Sequence, residues 1–375
     1  MTYFDYAAAT PVDEQVLAAM LPYFSEQFYN PSAAYPAARR VRHDVDAARA
    51  AIAGTLGART PEVIFTAGGT EANNLAIHGV LRAFPGKKIV VSSIEHESVL
   101  AAARQYPCAQ APVNAQGVVD VAALAALIDD DTVLVSTMYA NNEVGTVQPI
   151  REISRLVQHK RAGRSSGLPL YFHADAAQAA NYLDLHVARL GVDMLTLNGG
   201  KMYGPKQSGA LWVRSGVTLE PLVYGGGQER GYRSGTENVA GAMGLAKALE
   251  IAQGMRREES ARLQSLQQLF FALLTEMIPG VIINGPRVRR LPNNIHVTLP
   301  GTDNERLLMQ LDEAGIMAAA GSACSASDEA PSHVLRAMGI ADREARASLR
   351  FTLGRATVEA DVRQAVVMLA KLAGA

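Results

Sequence analysis

A lysine, an acid, an imidazole and a thiol stand in this sequence where each could take part in covalent chemistry. Lys201 lies in LNGGKMYGPKQSGALWV, after two glycines and before a Gly-Pro step, in a tight irregular segment rather than on a solvated helix face. An amine desolvated there, or set beside other cations, has a lowered pKa and can form a Schiff base with a carbonyl. Asp175 closes the apolar run LPLYFHAD. An acid at that strand end could keep a pyridine nitrogen protonated, or could cap AAQAANY as a helix. His96, in SSIEHES, reads equally as a ring-stacking proton carrier or as a hydrogen-bonded loop residue. Cys324 sits in AAAGSACSAS, where almost no bulky side chain is at hand to bury a thiol, and it reads as a mobile, accessible nucleophile. Cys108, in QYPCAQAP, lacks that setting and is expected to be structural.

Three further segments suit anions. The run VIFTA leads into Gly68-Gly69-Thr70-Glu71 and then ANNLAIHGVL, which sets free N–H groups at a helix start, although a Gly-Gly step before a helix is more often just a turn. GGGQERGYRSGTEN at 225–238 brings glycines together with Arg230, Arg233, Ser234 and Thr236, either for an anionic group or as a hinge loop. Arg350, in SLRFTLGR, lies on an apolar strand where an unpaired guanidinium is costly, so a carboxylate partner is expected from substrate or protein.

The elements that must position these residues follow from hydrophobic patterning. Apolar runs at 63–67, 88–93, 132–138, 168–175 and 194–199 predict buried strands, and AALAALIDD at 122–130 and PIREISRLVQHK at 149–160 predict helices between them. This alternation predicts an α/β domain with a mostly parallel sheet covered on both faces. A long helical stretch near 236–275 and a strand candidate at 293–300 then open a smaller α+β domain. Thr302 with Glu305, Ser332 and Thr357 are candidate helix caps in it. The expected division is a large cofactor-binding domain over 13–255 and a small domain of 1–12 and 256–375. RAGRSSG at 161–167 reads as a flexible surface linker, and no internal repeat is evident.

Bulk properties narrow the class. The 375 residues are 49% hydrophobic, enough for a core in each of two domains. Lys and Arg total 35 against 36 Asp and Glu, so no net positive charge exists to attract nucleic acid, and no direct nucleic-acid binding is expected. No apolar run of roughly 18 residues and no secretory leader is read, and two distant cysteines fit a reducing compartment. The expectation is a cytoplasmic enzyme without membrane attachment or a bound metal.

Taken in order, DYAAATPVD, NPSAAY, FTAGGTEANNLAI, EHESVL, NNEVGTVQPI, HADAAQ, GGKMYGPK, GGGQERGYRSGTEN, GSACSAS and SLRFTLGR resemble the cysteine desulfurases of the NifS/IscS type, in the class V aminotransferase group of fold-type I enzymes that use pyridoxal 5'-phosphate (PLP). The resemblance implies that Lys201 holds PLP by a Schiff base and then moves the proton at the substrate's Cα. It implies that Asp175 pairs with the ring nitrogen, Gln178 with the ring hydroxyl, and His96 with the ring face. Gly69, Thr70 and Thr236 would hold the phosphate, Thr236 from the second subunit of a homodimer. Asn30, Asn142 and Arg350 would hold the carboxylate of L-cysteine or the cofactor's polar edge. Cys324 would take the sulfur as a persulfide, leave L-alanine, and pass the sulfur to an acceptor protein for iron–sulfur cluster assembly or tRNA thiolation.

The chain departs from the pattern at three places. Where the family usually carries Ser-x-His-Lys, this chain has Asn198-Gly199-Gly200-Lys201, which moves phosphate anchoring toward Asn198, Thr70, Thr236 and backbone N–H groups. RAGRSSG lengthens the approach to Asp175, and the chain ends at KLAGA, short of the extension that many housekeeping members use to dock a scaffold protein. Alternative readings are a selenocysteine lyase, a small amino-acid aminotransferase, and, from a different class, a non-catalytic sulfur-relay or scaffold protein.

Overall fold

A computed structural model describes residues 1–321 and 331–374; Cys324 lies outside the described residues. In chain order the strands are β1 (Thr2–Tyr3), β2 (Val63–Thr66), β3 (Lys88–Ser92), β4 (Cys108–Ala111), β5 (Thr132–Ser136), β6 (Tyr171–Asp175), β7 (Met194–Asn198), β8 (Gly209–Val213), β9 (Ile282–Ile283), β10 (Asn294–Thr298), β11 (Ile316–Met317) and β12 (Ser348–Thr352).

All five strands predicted from apolar runs in the first two thirds form, and they belong to one seven-stranded sheet of order β2-β8-β7-β6-β5-β3-β4. Two members escape the sequence pattern. β4 pairs only with β3 at the sheet edge, and its CAQA carries no continuous apolar run. β8 follows β7 after ten residues that include Lys201, too few for a crossover, so it returns antiparallel and makes the sheet mixed. The other pairs from β7 across to β4 are parallel, as expected. Alternate side chains face opposite layers: Ile89 and Val91 belong to the same core as the buried face of the helix Gly69–Ala83, whereas Val90 belongs to the core on the other face, which also takes Ile153 and Val157 of the helix Ile150–Ala162.

The helix Val239–Met277 runs unbroken through the expected boundary at 255–256. Its first half contributes Leu245 and Leu249 to the large core, and its second half contributes Leu263, Phe270, Phe271 and Leu274 to the small one. The small core also takes Phe4 from the N-terminus, which meets Phe270 and Phe351 edge to face at 6.0 Å. Above it lies the antiparallel sheet β12-β10-β9.

Ser332 caps the helix His333–Ala337 as predicted, accepting from the N–H groups of Val334 and Leu335. The other two predicted caps do not form. Asp303 rather than Thr302 caps Asn304–Glu313, accepting from Arg306 N, and Thr302 stands one residue before the cap with its hydroxyl donating to Leu299 O. Thr357 accepts from Gly354 N and leaves Val358 at the start of the last helix. RAGRSSG is not a bare linker either. Arg161 donates to Leu170 O and pairs with Asp193, and Arg164 donates to the carbonyls of Pro169, Asp129 and Thr132.

Candidate active site

The carboxyl ends of the parallel strands and the turn after β7 converge on one cavity. Asp175 ends β6 and is only 7% exposed. Its Oδ2 accepts from Asn73 Nδ2 at 2.7 Å and its Oδ1 from Ala177 N at 2.9 Å. The residues after it form turns instead of a helix, so the acid is fixed by its partners and aimed into the cavity. His96 caps the helix Glu97–Ala103, with Nδ1 accepting from Ser98 N at 3.1 Å, which leaves the ring proton on Nε2. Burial, above all, pushes the imidazole below its ordinary value and so keeps it neutral; nearby Lys201 adds to this, while Asp175 acts against it.

Asn73 and Ser98 are the residues that sequence reasoning missed. Asn73 Nδ2 also donates to Ser98 Oγ at 2.9 Å, so one chain of hydrogen bonds runs from His96 through Ser98 and Asn73 to Asp175. A signal existed in FTAGGTEANN, where an asparagine falls on the inward face one turn into a helix.

Lys201 ends a short 3-10 turn, Gly199–Lys201, and its Nζ donates to Ala8 O at 2.6 Å and Ala7 O at 3.0 Å. Gln178 Nε2 donates to the same Ala7 carbonyl at 3.0 Å, so lysine and glutamine face one point of the N-terminal segment. Gly199 is required there, because a Cβ would collide with Ser208 Oγ. Tyr203 and Gln207 hold left-handed backbone at φ 61 and 58, unusual for side chains of their size and characteristic of constrained sites.

Gly69 and Thr70 open the helix Gly69–Ala83, whose start has no side-chain cap and therefore presents N–H groups. Asn198 packs on this turn, 3.2 Å from where a Gly69 Cβ would stand, while its Oδ1 accepts from Gly200 N. Asn142 borders the same cavity. Arg350, 1% exposed, donates to Asn142 O at 3.1 Å and to Asp5 Oδ1 at 2.7 Å, so its expected carboxylate partner is within the protein; its Nε is buried without an acceptor among the described residues.

Two predicted residues stand apart from Lys201. Asn30 is exposed and closes a local turn by accepting from Ser32 N. Thr236 lines a neighbouring cavity with Phe65 and Asn238. The arginines near it are already engaged, Arg233 with Glu71 and Arg230 with Val63 O. Cys108 is partly buried in β4, and burial pushes its thiol up, as suits a structural cysteine.

An amine, a buried carboxylate, a neutral imidazole and an uncapped helix start facing one cavity match the groups of PLP: aldehyde, pyridine nitrogen, ring face and phosphate. Asn73 Oδ1, buried without a donor among the described residues, leaves a further polar contact open beside Asp175.

Comparisons with known proteins point to one family. The aminotransferase class-V family pattern matches residues 2–364. A cysteine desulfurase IscS of Dictyoglomus turgidum is 41% identical over 99% of this chain and 94% of its own length. A cysteine desulfurase IscS 1 of Archaeoglobus fulgidus is 42% identical over 96% and 94%. Among solved structures, a NifS-like protein superposes with a TM-score of 0.92 at 32% identity, covering 100% of this chain and 99% of that one. A structure described as SspA in complex with cysteine gives 0.81 at 35%, covering 96% and 100%. With its lysine, acid and histidine brought to one cavity and its length matched almost throughout, the chain belongs to the aminotransferase class-V family.

Proposed function

We propose that this protein is a PLP-dependent cysteine desulfurase, converting L-cysteine to L-alanine and leaving the sulfur on Cys324 as a persulfide. The observation that carries the reading is the convergence of Lys201, Asp175 and His96 on one cavity, in a chain whose relatives named cysteine desulfurase match it almost end to end.

Bound PLP supplies an electron sink for the pair left on the substrate's Cα when its proton is removed. Lys201 holds the cofactor and then takes and returns the proton at Cα; the carbonyls of Ala7 and Ala8 orient its amine. Asp175 keeps a proton at the ring nitrogen, and Asn73 and Ala177 hold its carboxylate in place. Neutral His96 would pack on the ring, Gln178 would face the ring hydroxyl, and Gly69, Thr70 and Asn198 would hold the phosphate, all of them lining this cavity. The Nε of Arg350 together with Asn142 would take the carboxylate of L-cysteine or the cofactor's polar edge.

In the sulfur step the Cys324 thiolate attacks the substrate sulfur. The S–S bond forms as the C–S bond breaks, carbon keeps the electron pair and gains a proton, and L-cysteine plus thiol becomes L-alanine plus persulfide, with no external oxidant or reductant. A homodimer in which Thr236 completes the partner's phosphate site, a sulfur-acceptor protein and a cytoplasmic setting complete the reading. Among the described residues, no helix is long and apolar enough to cross a membrane.

The test is a purified protein scanned for the visible band of lysine-bound PLP and assayed for alanine and sulfide from L-cysteine, alongside Cys324→Ala. The band is expected in both proteins, with sulfide release lost in the variant. A missing band sinks the cofactor assignment, and unchanged turnover in Cys324→Ala removes the persulfide mechanism. Turnover of selenocysteine alone, or transamination with a keto acid, would instead favour the lyase or the aminotransferase.

A further inference from the structure

The uncapped start of the helix Gly69–Ala83 opens into a cavity of about 600 Å³ that Asn198, Gly200, Lys201 and Lys206 also line. An anion there needs compensation beyond N–H dipoles. Among the described lining residues the only cations are Lys201 and Lys206, and the acid in the lining, Glu71, is already bound by Arg233 at 2.8 Å. Lys201 is the residue that bonds the cofactor covalently, which leaves Lys206 as the remaining ammonium.

Three features fit Lys206 for such a role. Its side chain is exposed, and the bond from its Nζ is a long one, 3.3 Å to Thr10 O, so an ammonium with three donors has capacity to spare. Gly200 interposes no side chain: a Cβ built there would first meet Lys206 Cγ at 3.5 Å, so the stem of Lys206 borders the space that a side chain at 200 would use. The backbone carrying Lys206 is fixed. Tyr203 and Gln207 are left-handed, Tyr203 N donates to Thr10 Oγ1 at 2.8 Å, and Ser208 Oγ donates to Pro205 O at 2.6 Å. A firm backbone with an adaptable ammonium suits a group that closes on an anion after it arrives.

We propose that Lys206 binds the cofactor phosphate, supplying the charge that the side-chain-free approach Gly199-Gly200 does not. The inference rests on the phosphate lying at the start of the helix Gly69–Ala83, as in the function proposed above. The experiment titrates apo-protein with PLP and with pyridoxal, which has the same ring and aldehyde but no phosphate, and follows the visible band of the lysine-bound ligand. Lys206→Met is expected to weaken PLP about 10-fold or more while leaving pyridoxal within about 2-fold, because a hydrogen bond to a charged group is what is lost. Lys206→Arg is expected to restore most of the PLP affinity. Equal weakening of both ligands, or no change for PLP, overturns the role of Lys206. A wild-type protein that gives no band with either ligand overturns the cofactor assignment itself, and this inference with it.

Discussion

At the scale of single residues, Asp175 is a carboxylate held from two sides. One donor is the backbone N–H of Ala177, and the other is Asn73, which links it through Ser98 to His96. Acid and imidazole are therefore oriented as one unit. Asp175→Asn keeps the shape and removes the charge that, in the proposed role, would hold a proton on the ring nitrogen. We expect kcat/KM to fall roughly 100-fold or more, the usual scale for removing a preorganised charge from a reacting centre, while the visible band of bound PLP persists. Steady-state kinetics with an absorbance scan of the same samples checks this, and activity within about 2-fold of wild type would show that Asp175 is only a structural turn residue.

At the scale of elements, the site depends on how the ends of β3 and β5 are tied together. Glu95, fully buried in the turn after β3, accepts at one oxygen from Ser92 Oγ at 2.6 Å and Met138 N at 2.7 Å. Its other oxygen has no hydrogen-bond partner among the described residues, and its backbone carbonyl accepts from His333 Nε2. Burial, reinforced by Asp175, pushes this carboxyl up to about 8. The sign follows. Between the ordinary value near 4.5 and about 8 the folded chain keeps a proton that the unfolded chain releases, so this residue lowers stability as pH rises through that window. The limiting slope is about 1.4 kcal/mol per pH unit. Glu95→Gln preserves the acceptor oxygen and cannot ionise. Its melting temperature relative to wild type is expected to rise from pH 5 to pH 8 in a thermal scan series, and a difference independent of pH would contradict a neutral Glu95.

At the scale of the molecule, the segment 225–238 is held from beneath while it carries Thr236 away from its own Lys201. Arg49, in the helix Pro36–Leu56, grips Glu229 with two bonds of 2.6 and 2.8 Å, both side chains are buried, and Phe65 N donates to the same carboxylate. Glu229 and Arg230 are left-handed, so the segment is constrained rather than slack. If Thr236 serves the partner's site, a heterodimer of Lys201→Ala with Thr236→Ala contains one wholly wild-type site and one doubly impaired site. Mixing the two inactive or weakened homodimers under subunit exchange is expected to restore about half of wild-type activity per heterodimer. No gain over the parents, with exchange verified by mass spectrometry, would place Thr236 in its own subunit's site.

The legible part of the fold was the part that packing alone writes into a sequence. Strands β2, β3, β5, β6 and β7 are covered on both faces and must be continuously apolar, so their runs stand out. β4 at the edge, and β8, which returns through a short turn, lack that signature or that context. The cap at Thr302 failed because the next residue, Asp303, takes the helix start, and the cap at Thr357 because its hydroxyl accepts from Gly354 N, local choices that only the folded geometry makes. From the sequence alone came the chemical types: an amine between glycines, an acid at a strand end, a histidine following a strand, and free N–H groups at a helix start after Gly68. Only the tertiary structure decided their company. It set Asn73 and Ser98 between His96 and Asp175, gave Arg350 to Asp5, and brought Lys206 alongside Gly200 at the start of the helix Gly69–Ala83. Local spacing specifies which element a residue rides on, whereas contacts between residues far apart in the chain exist only once the layers have packed.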